Sequence, residues 1–120
     1  MKTVFVVDDN TINLVMADEK LSDSYNIFTF ACASAMFDLL NNIKPDLILL
    51  DIMMPDIDGF ETLKKLKADK RYSEIPVIFM TGKNDIDIET LGNKMGVIDY
   101  LSNPFSEPVL HNCIKMHLQR

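Results

Sequence analysis

The chain has 120 residues, 48% hydrophobic and 25% charged, with a formal net charge of -6. That is apolar material for one core, so residues 1–120 read as a single domain, and the acidic balance argues against a nucleic-acid surface, whose affinity comes from basic side chains that displace counterions from phosphates. Cys32 and Cys113 are far apart and offer neither a disulfide framework nor the paired spacing of a zinc site. With no signal-peptide pattern and no apolar run of membrane-spanning length, the expectation is a cytoplasmic protein with no membrane partner.

Val4-Phe5-Val6-Val7 predicts a first strand over 3–7, and a helix is expected over 11–22 with Asn10 and Thr11 available to cap it. The alternation continues with strands near 25–30, 47–50, 75–80 and 97–101 and helices near 34–43, 59–69, 85–95 and 106–118. Asp58 and Glu61 have the spacing of a capping box, and Phe60, Leu63 and Leu66 form one apolar stripe behind it. Ser106 and Pro108 mark the start of the last helix, whose inward stripe is Leu110, Cys113, Ile114 and Leu118. The basic residues Lys64, Lys65, Lys67, Lys70 and Arg71 read as a solvated face, and His111 and His117 as solvent-facing residues with no role.

Repeated βα units joined by right-handed crossovers give a parallel sheet with helices on both faces. The expected architecture is a flavodoxin-like (βα)5 doubly wound α/β sandwich with strand order 2-1-3-4-5. In that order the first and third strands are neighbours, and ligands bind beyond the carboxyl ends of the strands. Asp8 and Asp9 follow the first strand and Asp51 follows the third, so their carboxylates would converge there.

Like charges that close repel: at an effective dielectric near 20, a pair about 4 Å apart costs on the order of 4 kcal/mol. A cation would relieve this, and an all-oxygen donor set that leaves positions for water suits magnesium, with manganese as its substitute. A carboxylate beside such an ion can attack a phosphoryl group, which makes Asp51, alone on its strand, the candidate nucleophile. Asp8 and Asp9 have no evident structural duty in the sequence, whereas Asp56 and Asp58 suit the turn and cap before the third helix. Thr81 ends the fourth strand beside Gly82, where its hydroxyl could reach a phosphoryl oxygen.

Val7-Asp8-Asp9-Asn10, Leu49 through Pro55 with Gly59, Thr81-Gly82 and Asp99 through Phe105 together resemble the response-regulator receiver domains of bacterial two-component systems, across essentially the whole chain. The resemblance implies that Asp51 accepts a phosphoryl group from a histidine kinase or phosphotransfer protein. It also implies a metal held by Asp9, Asp51 and the Met53 carbonyl, and by Asp8 largely through water. Thr81 would then follow the phosphoryl group and Tyr100 would turn inward, which switches the surface of the fourth helix, fifth strand and fifth helix. An effector domain or downstream protein would read that surface. Such a domain accepts a phosphoryl group and releases it by its own hydrolysis, so it is not a turnover enzyme.

One position departs from the family: Asn103 stands where receivers carry lysine. The Coulomb contribution forgone is at most about 4 kcal/mol, roughly three powers of ten in rate. Lys83 is the candidate compensator. The departure motivates an alternative, a pseudo-receiver whose partner binding ignores phosphate. A haloacid-dehalogenase-like phosphatase fits poorly, because its second aspartate would fall on Met53. A homodimer through the fourth-helix to fifth-helix face, with Lys94, Asp99 and Lys115 as mixed charges, is the expected self-association.

Overall fold

A computed structural model describes residues 1–54, 57–81, 93–102 and 106–118, with Thr81 described by its backbone. Its strands are β1 (Thr3–Val7), β2 (Asn26–Phe30), β3 (Leu47–Asp51), β4 (Val77–Thr81) and β5 (Asp99–Ser102). The helices are α1 (Thr11–Leu21), α2 (Ala33–Leu40), α3 (Gly59–Ala68) and, last in the chain, α4 (Glu107–Leu118). Of the helix expected over 85–95, the described part, 93–95, is helical and closes on Gly96 at φ 96°, a left-handed position that glycine occupies without strain.

All strand pairs are parallel, in the order β2-β1-β3-β4-β5 expected of the flavodoxin-like arrangement. β4 begins at Val77, two residues later than its apolar pattern, because Pro76 has no N–H to give a ladder; its carbonyl still accepts from Ile48 N at 3.0 Å.

The sheet separates the core into two layers by the period-2 alternation of its side chains. Phe5, Val7, Ile48, Leu50, Val77 and Phe79 face α2 and α3, where they meet Met36, Leu40, Leu63 and Leu66. Val4, Val6, Leu47, Leu49, Ile78, Met80 and Leu101 face α1 and α4, where they meet Ala17, Leu21, Leu110, Cys113 and Ile114. Burial on both sides explains why the central strands are unbroken apolar runs.

The expected caps form. Asn10 Oδ1 accepts from the N–H groups of Ile12 (2.9 Å) and Asn13 (3.4 Å), Asp58 Oδ1 from Glu61 N (2.9 Å), and Ser106 Oγ from Val109 N (3.4 Å). The basic residues of α3 and the turn after it are mostly exposed, although Lys67 donates to Ser73 O at 3.0 Å and Arg71 pairs with Asp69 at 2.8 Å. One expectation for α4 is corrected: His117 is not solvent-facing, its side chain being 6% exposed with Nε2 2.8 Å from Asp99 Oδ2. His111 keeps about a third of its side chain exposed, with Nε2 2.8 Å from the Lys20 carbonyl oxygen. Asp99 is thereby engaged within the molecule rather than standing as a rim charge.

Candidate functional site

β1 and β3 pair from Val4↔Leu47 to Val7↔Leu50, so the chain leaves both strands at the same level. That register brings Asp8, Asp9 and Asp51 together with one carboxylate oxygen of each within 4.8 Å of the others. Asp8 is 1% exposed, Asp51 half-buried and Asp9 exposed, so the cluster opens to solvent on one side.

Asp8 has a structural duty that the sequence did not disclose. Its Oδ1 accepts from Asn10 N and its Oδ2 from Asn13 Nδ2, both at 2.9 Å, and its own N–H donates to Phe30 O at 3.0 Å. The carboxylate thus steers the chain from β1 into α1. Asn13 was missed as a member of this group; its one signal is its place on the first turn of α1, five residues after Asp8.

Asp51 Oδ1 accepts from Met53 N at 3.3 Å. Burial, followed by the charge of Asp8 and a hydrogen bond shared with it, pushes the Asp51 carboxyl up to about 7; the Asp9 charge adds to this and the Met53 N–H opposes it. Without a cation, this carboxyl therefore keeps its proton to a much higher pH than an isolated aspartate does. All-oxygen donors, mutual repulsion and one open side fit a hard divalent ion such as magnesium. Asp8, Asp9 and Asp51 are the side chains that would hold it, with the exposed Met53 beside them.

The segment after Asp51 is held by α3: Gly59 N donates to Ile52 O at 2.7 Å. Thr81 ends β4, and Met80 stands opposite Asp51 in the register, which sets Thr81 just beyond the level of the acidic residue. Tyr100 lies on β5 facing the α2 and α3 side, half-buried, with its ring 6.3 Å from that of Phe79 and its hydroxyl 3.3 Å from Asn93 Oδ1. Gly82, Lys83 and Asn103 lie outside the described residues.

A five-stranded parallel sheet of this order, with acidic residues at the ends of its first and third strands, defines the class of CheY-like signalling domains. A family model described as the response regulator receiver domain matches residues 4–115, and the chain belongs to that family. It is 35% identical over 117 residues to a probable cyclic di-GMP phosphodiesterase of Vibrio cholerae, a match covering 98% of this chain and 26% of the relative. Among solved structures it is similar to the chemotaxis protein CheY4 of Vibrio cholerae, with TM-score 0.93 at 25% identity, covering 98% of this chain and 99% of the other. It is also similar to the BeF3-activated receiver domain of DrrB, with TM-score 0.89 at 28% identity, covering 100% and 99%. The chain spans from about a quarter to a little over half of the length of the curated relatives it matches. Membership supports a phosphoacceptor role in two-component signalling. Among the described residues, no helix is long and apolar enough to cross a membrane.

Proposed function

We propose that Asp51 is the phosphoacceptor of this receiver domain, that Asp8, Asp9 and the Met53 carbonyl complete a magnesium site with it, and that the domain works in the cytoplasm as one unit over residues 1–120. The observation that carries this reading is the convergence of the carboxylates at the ends of β1 and β3, where burial and Asp8 hold Asp51 near neutrality. In the reaction an Asp51 oxygen forms a bond to phosphorus while the donor's P–N bond breaks, the imidazole of the kinase or phosphotransfer protein keeping that electron pair. The ion supplies neutralisation of charge on the transferring oxygens. Asp8 and Asp9 set the cation affinity, and Asn13 holds Asp8 in place.

Thr81 would donate its hydroxyl to the phosphoryl group, and Tyr100 would report the change on the surface of 93–95, β5 and α4. Asn103 would donate a neutral hydrogen bond in place of the lysine's charge, with Lys83 as the candidate compensator. The partners implied are a histidine kinase or phosphotransfer protein upstream and an effector domain or downstream protein, with dimerisation through the surface of the helix expected over 85–95, β5 and α4, and no nucleic-acid contact by this domain.

Intact-mass spectrometry after incubation with acetyl phosphate and magnesium tests the reading. One phosphoryl addition is expected in the wild type and none in Asp51→Asn, with faster labelling in Asn103→Lys. No addition in the wild type, with recovery in Asn103→Lys, would point to the pseudo-receiver alternative.

A further inference from the structure

Beyond the acidic cluster, the described residues bring together a second set of metal-capable side chains: Asp99 at the start of β5, and Cys113 and His117 on α4. Their donor atoms lie within 4.8 Å of one another. Cys113 Sγ is 3.7 Å and His117 Nε2 2.8 Å from the same Asp99 oxygen, Oδ2. We infer that Asp99, Cys113 and His117 form a zinc site that clips β5 to α4, with water at the fourth position.

The donor chemistry selects the ion. Thiolate, imidazole and carboxylate together suit borderline-soft zinc, whereas magnesium disfavours sulfur. Tetrahedral zinc, with bonds of about 2.0 to 2.3 Å, holds its ligand atoms roughly 3.4 to 3.6 Å apart. The separation between Cys113 Sγ and Asp99 Oδ2 already matches, and the His117–Asp99 contact needs to open by only about 0.6 Å on that scale. Cys113 and His117 are four residues apart on α4, one turn above the other on the same face.

The scaffold around the three is fixed. Leu110 and Ile114 are fully buried on either side of Cys113, itself 8% exposed, and Leu101 is buried two residues after Asp99. α4 therefore cannot turn its face away from β5, and the ligands are held before any ion arrives. The site is separate from the proposed phosphoacceptor. Asp99 opens β5 and Ser102 closes it beside Thr81, so about 10 Å of strand lies between the two levels. Tyr100, the next residue, points to the other face, so zinc would stiffen the strand that carries it without touching its ring.

Cobalt spectroscopy on the metal-stripped protein in excess magnesium, which fills the hard-oxygen cluster, tests the inference. One equivalent of cobalt should give a thiolate-to-cobalt charge-transfer band with tetrahedral ligand-field intensity, and zinc should displace it. The chain has two cysteines, so a band that survives in Cys32→Ser comes from Cys113. The band should vanish in Cys113→Ser and weaken sharply in His117→Gln. Zinc affinity in each should fall about 100-fold or more, since losing a ligand costs at least as much as losing an outer-shell partner. Cobalt uptake without a thiolate band, a band abolished in Cys32→Ser, or no uptake at all would overturn the inference. The wild type and Cys32→Ser decide it even if Cys113→Ser does not fold.

Discussion

A Cβ placed on Gly59 would stand 2.8 Å from the Asp51 carbonyl oxygen and 2.7 Å from Ile52 Cα, so the first residue of α3 lies directly against the backbone that leads out of the acidic cluster. Both neighbours are main chain and cannot rotate aside. Gly59→Ala should therefore cost about 1 to 3 kcal/mol, the usual penalty of overpacking. It should also displace Asp51 and slow labelling by acetyl phosphate. Denaturant unfolding and the labelling rate, measured together, check both effects.

Asp8→Asn removes the charge that contributes most to raising the Asp51 carboxyl while leaving a side chain of the same shape. The Asp51 titration should move downward, and magnesium affinity should fall with the lost negative charge. Carboxyl-detected NMR of the metal-free protein reads the first effect, and calorimetric magnesium titration reads the second. An Asp51 titration unchanged in this variant would mean that Asp8 does not contribute to its value.

Without a divalent ion, stability should fall as pH rises from about 4 to about 7. The folded Asp51 value of about 7 lies above the unfolded value near 3.9, so within that window the native state keeps a proton that the unfolded state has released. The loss should be on the order of 1 to 2 kcal/mol after solvent screening. Magnesium favours the charged carboxylate and should remove the slope. Urea unfolding at pH 5 and pH 8, with and without magnesium, tests this, and Asp51→Asn should lack the contribution.

Asp58→Ala removes the side chain that accepts from Glu61 N and caps α3. The expected cost is about 1 kcal/mol. Because α3 also anchors Ile52 through Gly59 N, labelling should slow modestly. Thermal unfolding followed by circular dichroism reads the stability change.

The alternation of Val4–Val7, Leu47–Leu50 and Val77–Met80 with amphipathic helices is a property of chain order, so by itself it determined the α/β class and the strands. Asp8, Asp9, Asp51 and Asn10 were legible for the same reason: strand ends and first helical turns are local, and a local cap or cluster leaves its mark in spacing. What the tertiary structure decided depends on which distant residues meet. The β1–β3 register set the three carboxylates in reach of one another, and their shared burial raised Asp51. Asn13 beneath Asp8 and the close approach of Gly59 to Asp51 also needed the packing of helix on sheet. Asp99, Cys113 and His117 show the contrast most plainly. Taken along the chain they are a strand aspartate, a core cysteine and a surface histidine, because sequence periodicity gives the face of each element but not the element that covers it. Docking α4 on β5 joined them in one cluster.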